Sequence, residues 1–220
     1  TYPDKTIYPV ASCNDKDFQN LMDVYLDSVF SPNIYKEQNI FRQEGWHYEL
    51  KSPEDELTLN GVVYNEMKGA FSSADGVLDR EILRSLFPDT PYSNESGGDP
   101  QVIPELTYED YLDFHRKYYH PSNSWIYLYG DMDVVEKLNW LDEEYLSHYD
   151  RIDVDSTIPE QEPFAAPVEH EIPYSISSTD STENNTYLSC NWAVGNNLNR
   201  EQYIAFDILD YALLSTQGAP

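Results

Sequence analysis

The sequence predicts a domain that mixes α-helices with β-strands, and three observations carry that expectation. Apolar residues recur at helical spacing in several separate stretches, short β-branched and aromatic runs of strand length lie between them, and the two patterns alternate in two blocks, the second cut off. At 220 residues, 40% hydrophobic and 14% aromatic, the chain is long enough to bury a core and too apolar for disorder.

In chain order, TIYPVAS (6–12) is patterned as a strand, and Pro9 assigns it to an edge or a bulge. Phe18, Leu21, Met22, Tyr25, Leu26 and Val29 then recur at helical spacing behind the polar start NDKD, which can cap a first turn. That helix ends near SPN (31–33). WHYEL (46–50) is a further strand candidate and SPEDE a turn. GVVYNEMKGAF is a helix that runs on, past the interruption SSADG, into VLDREILRSLF.

The run PDTPYSNESGGDPQVIPE (88–105) is rich in Pro, Gly and polar groups, and loops of this length often carry function. LTYEDYLDFHRKYY follows as an amphipathic helix, with Thr107 three residues before Asp110 in a weaker form of the capping box. NSWIYLYGDMD (123–133) is patterned as a buried strand with a polar turn, and VVEKLNWLDEEYLSHY as a helix. Residues 150–167 form an acidic, Pro-containing connector. Beyond it stand two strand candidates, VEHEIPYSIS and TYLSCNWAVG, and a last helix, NREQYIAFDILDYALL.

Charge narrows the function classes. With 40 acids against 13 bases, the net charge is −27 and the pI near 4.2, so phosphate backbones and anionic membranes are repelled while a basic peptide is attracted. Nucleic acid and membrane are therefore excluded as partners. No apolar run reaches the 18 or so residues of a membrane span. Cys13 and Cys190 lie far apart in apolar contexts (PVASC, YLSCNWAV), which makes neither a disulfide framework nor a CxxC site and predicts two core thiols. Both ends of the chain read as the interior of a longer protein, and the compartment stays open, with the cytoplasm slightly favoured.

One acid stands out. Glu66 sits in a helical stretch among Val62, Val63, Met67 and Phe71, and a desolvated carboxylate costs several kcal/mol unless it is paired or bound to a metal. Either it lies on the solvent edge of its helix or it has a partner. The five histidines supply no HExxH or HxxEH, and His115 and His120, five apart, are expected to be structural or surface groups. GxSxG, GxGxxG and Walker patterns are absent, and SGGDP (96–100) is most simply a turn. The 19 tyrosines fit core packing better than a carbohydrate platform, because Tyr25, Tyr111, Tyr118, Tyr127 and Tyr129 fall at core spacing. The sequons at Asn94 and Asn184 arise too readily by chance to carry an inference.

The residues alone thus define an acidic domain of helices and strands with one unexplained acid. The ordered motifs TYPDKTIYPVAS, DFQNLMDVYLDSVF, GVVYNEMKGAFSS, LFPDTPYSNESGGDP, IPELTYEDYLDFHRKYYHPSN and YLYGD resemble the presequence protease branch of the pitrilysin and insulin-degrading enzyme family. The similarity is dense over residues 1 to 133, and NTYLSCNWAVG and ILDYALLSTQGAP resemble the start of the second half of that family's catalytic domain.

The resemblance implies an α+β, LuxS/pitrilysin-like fold, a truncated two-layer sandwich of mostly antiparallel sheet with helices. Residues 1–150 would be the latter part of the first catalytic subdomain, 151–167 an acidic linker, and 168–220 the beginning of a second, repeat subdomain. In the family, HxxEH supplies two zinc-binding histidines and a glutamate base, and a distal glutamate completes the site. NEMKG maps that ligand onto Glu66. HxxEH is absent from these 220 residues and is expected upstream of Thr1, so the chain alone should be inactive. Several relatives carry a further acid seven residues before the ligand, where this chain has Leu59, which removes one outer partner of the metal.

The family's substrate adds as a strand to a sheet edge, which here maps nearest to Thr1 and Tyr2. The resulting expectation is a fragment of a zinc metalloendopeptidase that degrades unstructured oligopeptides in an enclosed chamber. Its partners would be peptide substrates and the remaining portions of the same polypeptide. Two rivals stand beside it: a non-catalytic, peptide-binding or structural homologue, and an acidic carbohydrate-binding module. The last predicts exposed, coplanar Tyr and Trp rings where the protease reading buries them.

Overall fold

The computed structural model describes residues 1–216 and 218. The chain divides into two compact units, the first Thr1–Ser178 and the second beginning at Thr179. The first unit holds helices α1 (Asp15–Phe30), α2 (Gln38–Glu44), α3 (Val62–Ala70), α4 (Ala74–Leu86), α5 (Tyr108–Tyr118) and α6 (Val134–Glu144). Its sheet is one antiparallel pair, β1 (His47–Glu49) against β2 (Thr58–Asn60), with Tyr48 opposite Leu59.

Local chemistry sets the helix ends. The Asn14 side chain accepts from the Asp17 N–H at 3.0 Å and starts α1, which stops at Phe30, just before SPN. The Ser73 hydroxyl accepts from the Gly76 N–H and restarts the chain as α4, so residues 71–73 separate two helices and Ala74, Asp75 and Gly76 open the second. At α5 the capping box is complete: the Asp110 N–H donates to Thr107 Oγ1 at 3.2 Å, and the Thr107 N–H donates to the Asp110 carboxylate at 3.0 Å.

The core forms where α1, α5 and α6 meet the turn at Asn33–Tyr35, and contains Met22, Ile34, Ile103, Leu112, Leu141 and Tyr145. Tyr145, just past α6, donates its hydroxyl to the Asp23 carbonyl and carboxylate, and Tyr149 donates to the Phe30 carbonyl. Burial pushes the Tyr145 phenol well above its ordinary value, and the hydrogen-bonded Asp23 carboxylate adds to the rise. Phe41 of α2 packs against Tyr108 and Tyr111 of α5, and the Tyr108 hydroxyl donates to the Ile34 carbonyl. Within the first unit, the connector 151–167 is tied to the loop after α4 by Gln161, which accepts from the Asp89 N–H and donates to the Asp89 carboxylate at 2.7 Å.

The second unit contains α7 (Arg200–Asp210), capped by Asn199, and a π-helical turn at Tyr211–Ser215. No helix among the described residues is long and apolar enough to cross a membrane.

Four strand expectations are corrected. Residues 6–12, 123–133, 168–177 and 186–195 join no sheet among the described residues, because a strand's ladder is made with a partner and none is paired to them. Burial changes with them. Trp125 is 100% exposed, Tyr127 83% and Tyr129 84%, so NSWIYLYGDMD is not a buried strand and these tyrosines are not core. Tyr25 and Tyr111 are likewise exposed, and both cysteines are exposed thiols rather than core groups.

Candidate metal-ligating helix

The chain enters α3 from β2 through a backbone crossing only glycine permits. Gly61 has φ +154°, and a Cβ built there would stand 2.2 Å from the Gly45 carbonyl oxygen and 2.8 Å from Trp46 Cα. The Tyr64 N–H donates to the same Gly45 carbonyl, and Asn60 Oδ1 accepts from the Gly61 N–H at 2.8 Å and from Asn65 Nδ2 at 2.6 Å. The first turn of α3 is thereby fixed to the end of α2.

The following turn is fixed from another side. Met67 is buried, and a Cβ at Gly97 would fall 2.2 Å from Met67 Sδ and 2.9 Å from its Cε. Gly98, with φ +91°, lies close to the buried Ile103. SGGDP is a turn, as its composition predicts, and it also packs on the helix that carries Glu66. Neither Gly61 nor Gly97 emerged from the sequence as a site residue, since the approaching backbone is distant in sequence.

Glu66 itself is exposed on α3, and among the described residues no side chain hydrogen-bonds or ion-pairs with it. Of the two alternatives for this acid, the structure shows the first: it lies on the solvent edge of its helix, with its oxygens available. No group of three or more His, Cys, Asp or Glu among the described residues can hold a metal ion. Zinc needs three or four protein donors. Glu66 therefore presents a single exposed carboxylate, fewer donors than zinc takes, among the described residues.

The histidines have other duties. His115 bonds to Tyr35 and to the Val29 carbonyl, His120 Nδ1 accepts from the Ser122 N–H, and His47 donates Nδ1–H to the Arg42 carbonyl. Thr1 and Tyr2 are exposed and outside any strand; the Tyr2 N–H donates to the Lys5 carbonyl, and the Lys5 ammonium lies 4.9 Å from the Tyr2 ring centre. Two open depressions, about 350 and 460 Å³, lie around Tyr149 and are lined by none of Glu66, Thr1 or Tyr2. Tyr127 and Tyr129 are exposed and parallel within 7°, but stacked with ring centres 6.4 Å apart rather than laid in one plane as a sugar platform requires.

The family model described as the peptidase M16 inactive domain matches residues 105–220, and the chain belongs to the peptidase M16, or pitrilysin, family. Within it, several relatives are named as presequence proteases. The chain is 53% identical over its whole length to Protein HypA of Clostridium perfringens, covering 23% of that protein. It is 43% identical to presequence protease 1, chloroplastic/mitochondrial, of Arabidopsis thaliana, and 37% identical to the mitochondrial presequence protease of Xenopus laevis. In both cases all of this chain is matched, to 21% and 22% of the relative. The chain thus spans about a fifth of the length of these relatives.

Proposed function

We propose that this chain is part of a zinc metalloendopeptidase that degrades unstructured oligopeptides in an enclosed chamber, with Glu66 as the distal zinc ligand. The observation that carries the reading is an exposed, unpaired carboxylate on a helix pinned at two successive turns, in a chain whose relatives are named as proteases. A rigid element is what a ligand needs, because a metal site tolerates little positional error. Bound zinc would supply Lewis acidity and lower the pKa of a bound water. Glu66 would hold one coordination position, and the two histidines and the base are expected outside these residues. The chain alone is therefore inactive.

The remaining portions of the polypeptide supply the partner strands of a two-layer α+β sandwich, which the unpaired segment 123–130 and its exposed Trp125 support. Extended peptides would pair through their main chain near Thr1 and Tyr2, and the net charge of −27 favours basic ones. A soluble compartment suits this chemistry, and the relatives' mitochondrial and chloroplast names support an organelle over the cytoplasm favoured by the sequence.

The test is zinc content and peptidase activity of the full-length polypeptide, wild type against Glu66→Gln. Loss of both by orders of magnitude is expected; unchanged values remove Glu66 from the site. The second reading, a non-catalytic homologue, is favoured by the description of the matching family model as inactive. It predicts a wild type that binds no zinc.

A further inference from the structure

We infer that Asn60 is a self-modification site, at which the Gly61 backbone nitrogen closes on the Asn60 side chain and converts it, through a cyclic imide, to aspartate and isoaspartate. The inference is independent of any metal. Asn60 and Gly61 form the one Asn-Gly step in the 220 residues, and glycine leaves the attacking nitrogen without a side chain beside it to obstruct ring closure. Asn60 ends β2, and Gly61 is the N-cap of α3. The Gly61 N–H donates to Asn60 Oδ1 at 2.8 Å, so the nucleophile already lies against the amide whose Cγ it must reach. Asn65 Nδ2 donates to the same oxygen at 2.6 Å. A donor aimed at that oxygen polarises the carbonyl and stabilises the oxyanion formed when the nitrogen adds.

Water is the only co-reactant. A solvent base takes the Gly61 N–H proton, the nitrogen forms a bond to Cγ, and the Cγ–Nδ2 bond breaks as ammonia leaves with a proton returned by solvent. Water then opens the imide at Cγ, which gives aspartate, or at the main-chain carbonyl, which gives isoaspartate. Asn60 is half-buried and Asn65 exposed, so solvent reaches the leaving amide. The two products differ in what they do to the fold. Aspartate keeps an acceptor for the Gly61 N–H and for Asn65 Nδ2. Isoaspartate adds a methylene to the main chain immediately before Gly61, where a single Cβ would already stand 2.2 Å from the Gly45 carbonyl oxygen. The Tyr64 N–H bond to that carbonyl, which ties α3 to α2, is displaced with it.

The experiment incubates the folded full-length polypeptide at mildly alkaline pH and follows the tryptic peptide 52–68, bounded by Lys51 and Lys68, by mass spectrometry. The same peptide, free in solution, is the unfolded reference. The folded protein is expected to gain the mass of an amide-to-acid exchange at Asn60, and not at Asn65 in the same peptide, at a rate at least equal to that of the free peptide. Labelling by an isoaspartyl methyltransferase separates isoaspartate from aspartate, and the isoaspartate fraction is expected to melt at a lower temperature. Asn65→Ala, checked by its melting temperature to be folded, is expected to slow the conversion roughly 2- to 10-fold, the worth of one hydrogen bond, and to leave the free peptide's rate unchanged. A folded rate below that of the free peptide overturns the inference, because the fold then protects Asn60. Equal folded rates in wild type and Asn65→Ala overturn the assignment of Asn65 as the activating donor.

Discussion

The Tyr35 hydroxyl lies 2.6 Å from His115 Nδ1, while the opposite ring nitrogen, Nε2, is 2.9 Å from the Val29 carbonyl. A carbonyl only accepts, so Nε2 carries the proton and Nδ1 accepts from Tyr35. This neutral tautomer ties the end of α1 and the turn at Asn33–Tyr35 to α5. Tyr119 stacks on the imidazole at 4.7 Å, its hydroxyl lies 3.1 Å from that of Tyr8, and Arg116 is 5.6 Å from the Tyr35 ring centre.

Acidification should destabilise the protein through His115. Burial lowers its pKa below the ordinary 6.5, against the Val29 bond, which acts in the opposite sense. The unfolded chain therefore takes up the proton first. Stability is unaffected above about pH 6.5, falls as pH drops through that value, and levels off below the depressed folded pKa. Denaturant unfolding between pH 7.5 and 5 is expected to show this slope, and His115→Gln to flatten it. An unchanged slope in the variant would assign it to other groups. Tyr35→Phe is expected to cost about 1 kcal/mol at pH 7.5, the net worth of one hydrogen bond.

Removing the Thr107 cap has a calculable effect. Thr107→Ala deletes the acceptor of the Asp110 N–H and is expected to cost about 1 kcal/mol, with Thr107→Ser close to wild type. Unfolding midpoints of the three proteins check the order.

Lys137 is a buried cation whose ammonium donates to Gln19 Oε1 at 3.1 Å and lies 3.3 Å from the Asp15 carboxylate. Asp15 is exposed, so losing the ammonium strands no buried charge. Lys137→Met, which keeps the apolar stem, is expected to cost about 1 kcal/mol, chiefly through Gln19. Lys137→Ala, which leaves a void beside Leu141, is expected to cost about 2 kcal/mol or more. Equal effects in the two would show that the charge, and not the stem, dominates.

Gly61→Ala is expected to destabilise the first unit. Its Cβ meets backbone atoms of Gly45 and Trp46, which cannot swing aside as a side chain does, and its φ is unfavourable for alanine. A loss above about 1 kcal/mol is expected in thermal or denaturant unfolding. A neutral result would mean that the α2–α3 crossing relaxes freely.

What was legible in the sequence was local. Asn14, Thr107 and the spacing of Phe18 to Val29 announce helix ends and faces because caps and periodicity act within one or two turns. Helix α2, seven residues long, is too short to establish a period, and β2, three residues long, is defined by pairing with Tyr48 rather than by its own pattern. The alternation at 123–130 suggests a strand, yet this segment joins no sheet among the described residues and its aromatic rings are exposed, since ladder and burial both depend on a partner. Glu66 was conspicuous as an acid among apolar neighbours, and the family motif gave it a role. The glycines that hold its helix were invisible, because nothing near positions 61 and 97 encodes which backbone or sulfur atom will arrive there.

The exposure of Cys13 and Cys190 gives the molecule two native attachment points, one in each compact unit. Paired spin labels on these thiols would read the distance between the units, and its distribution, without an engineered cysteine. The width of that distribution would turn an unremarkable pair of surface sulfurs into a ruler for how tightly the two units are coupled.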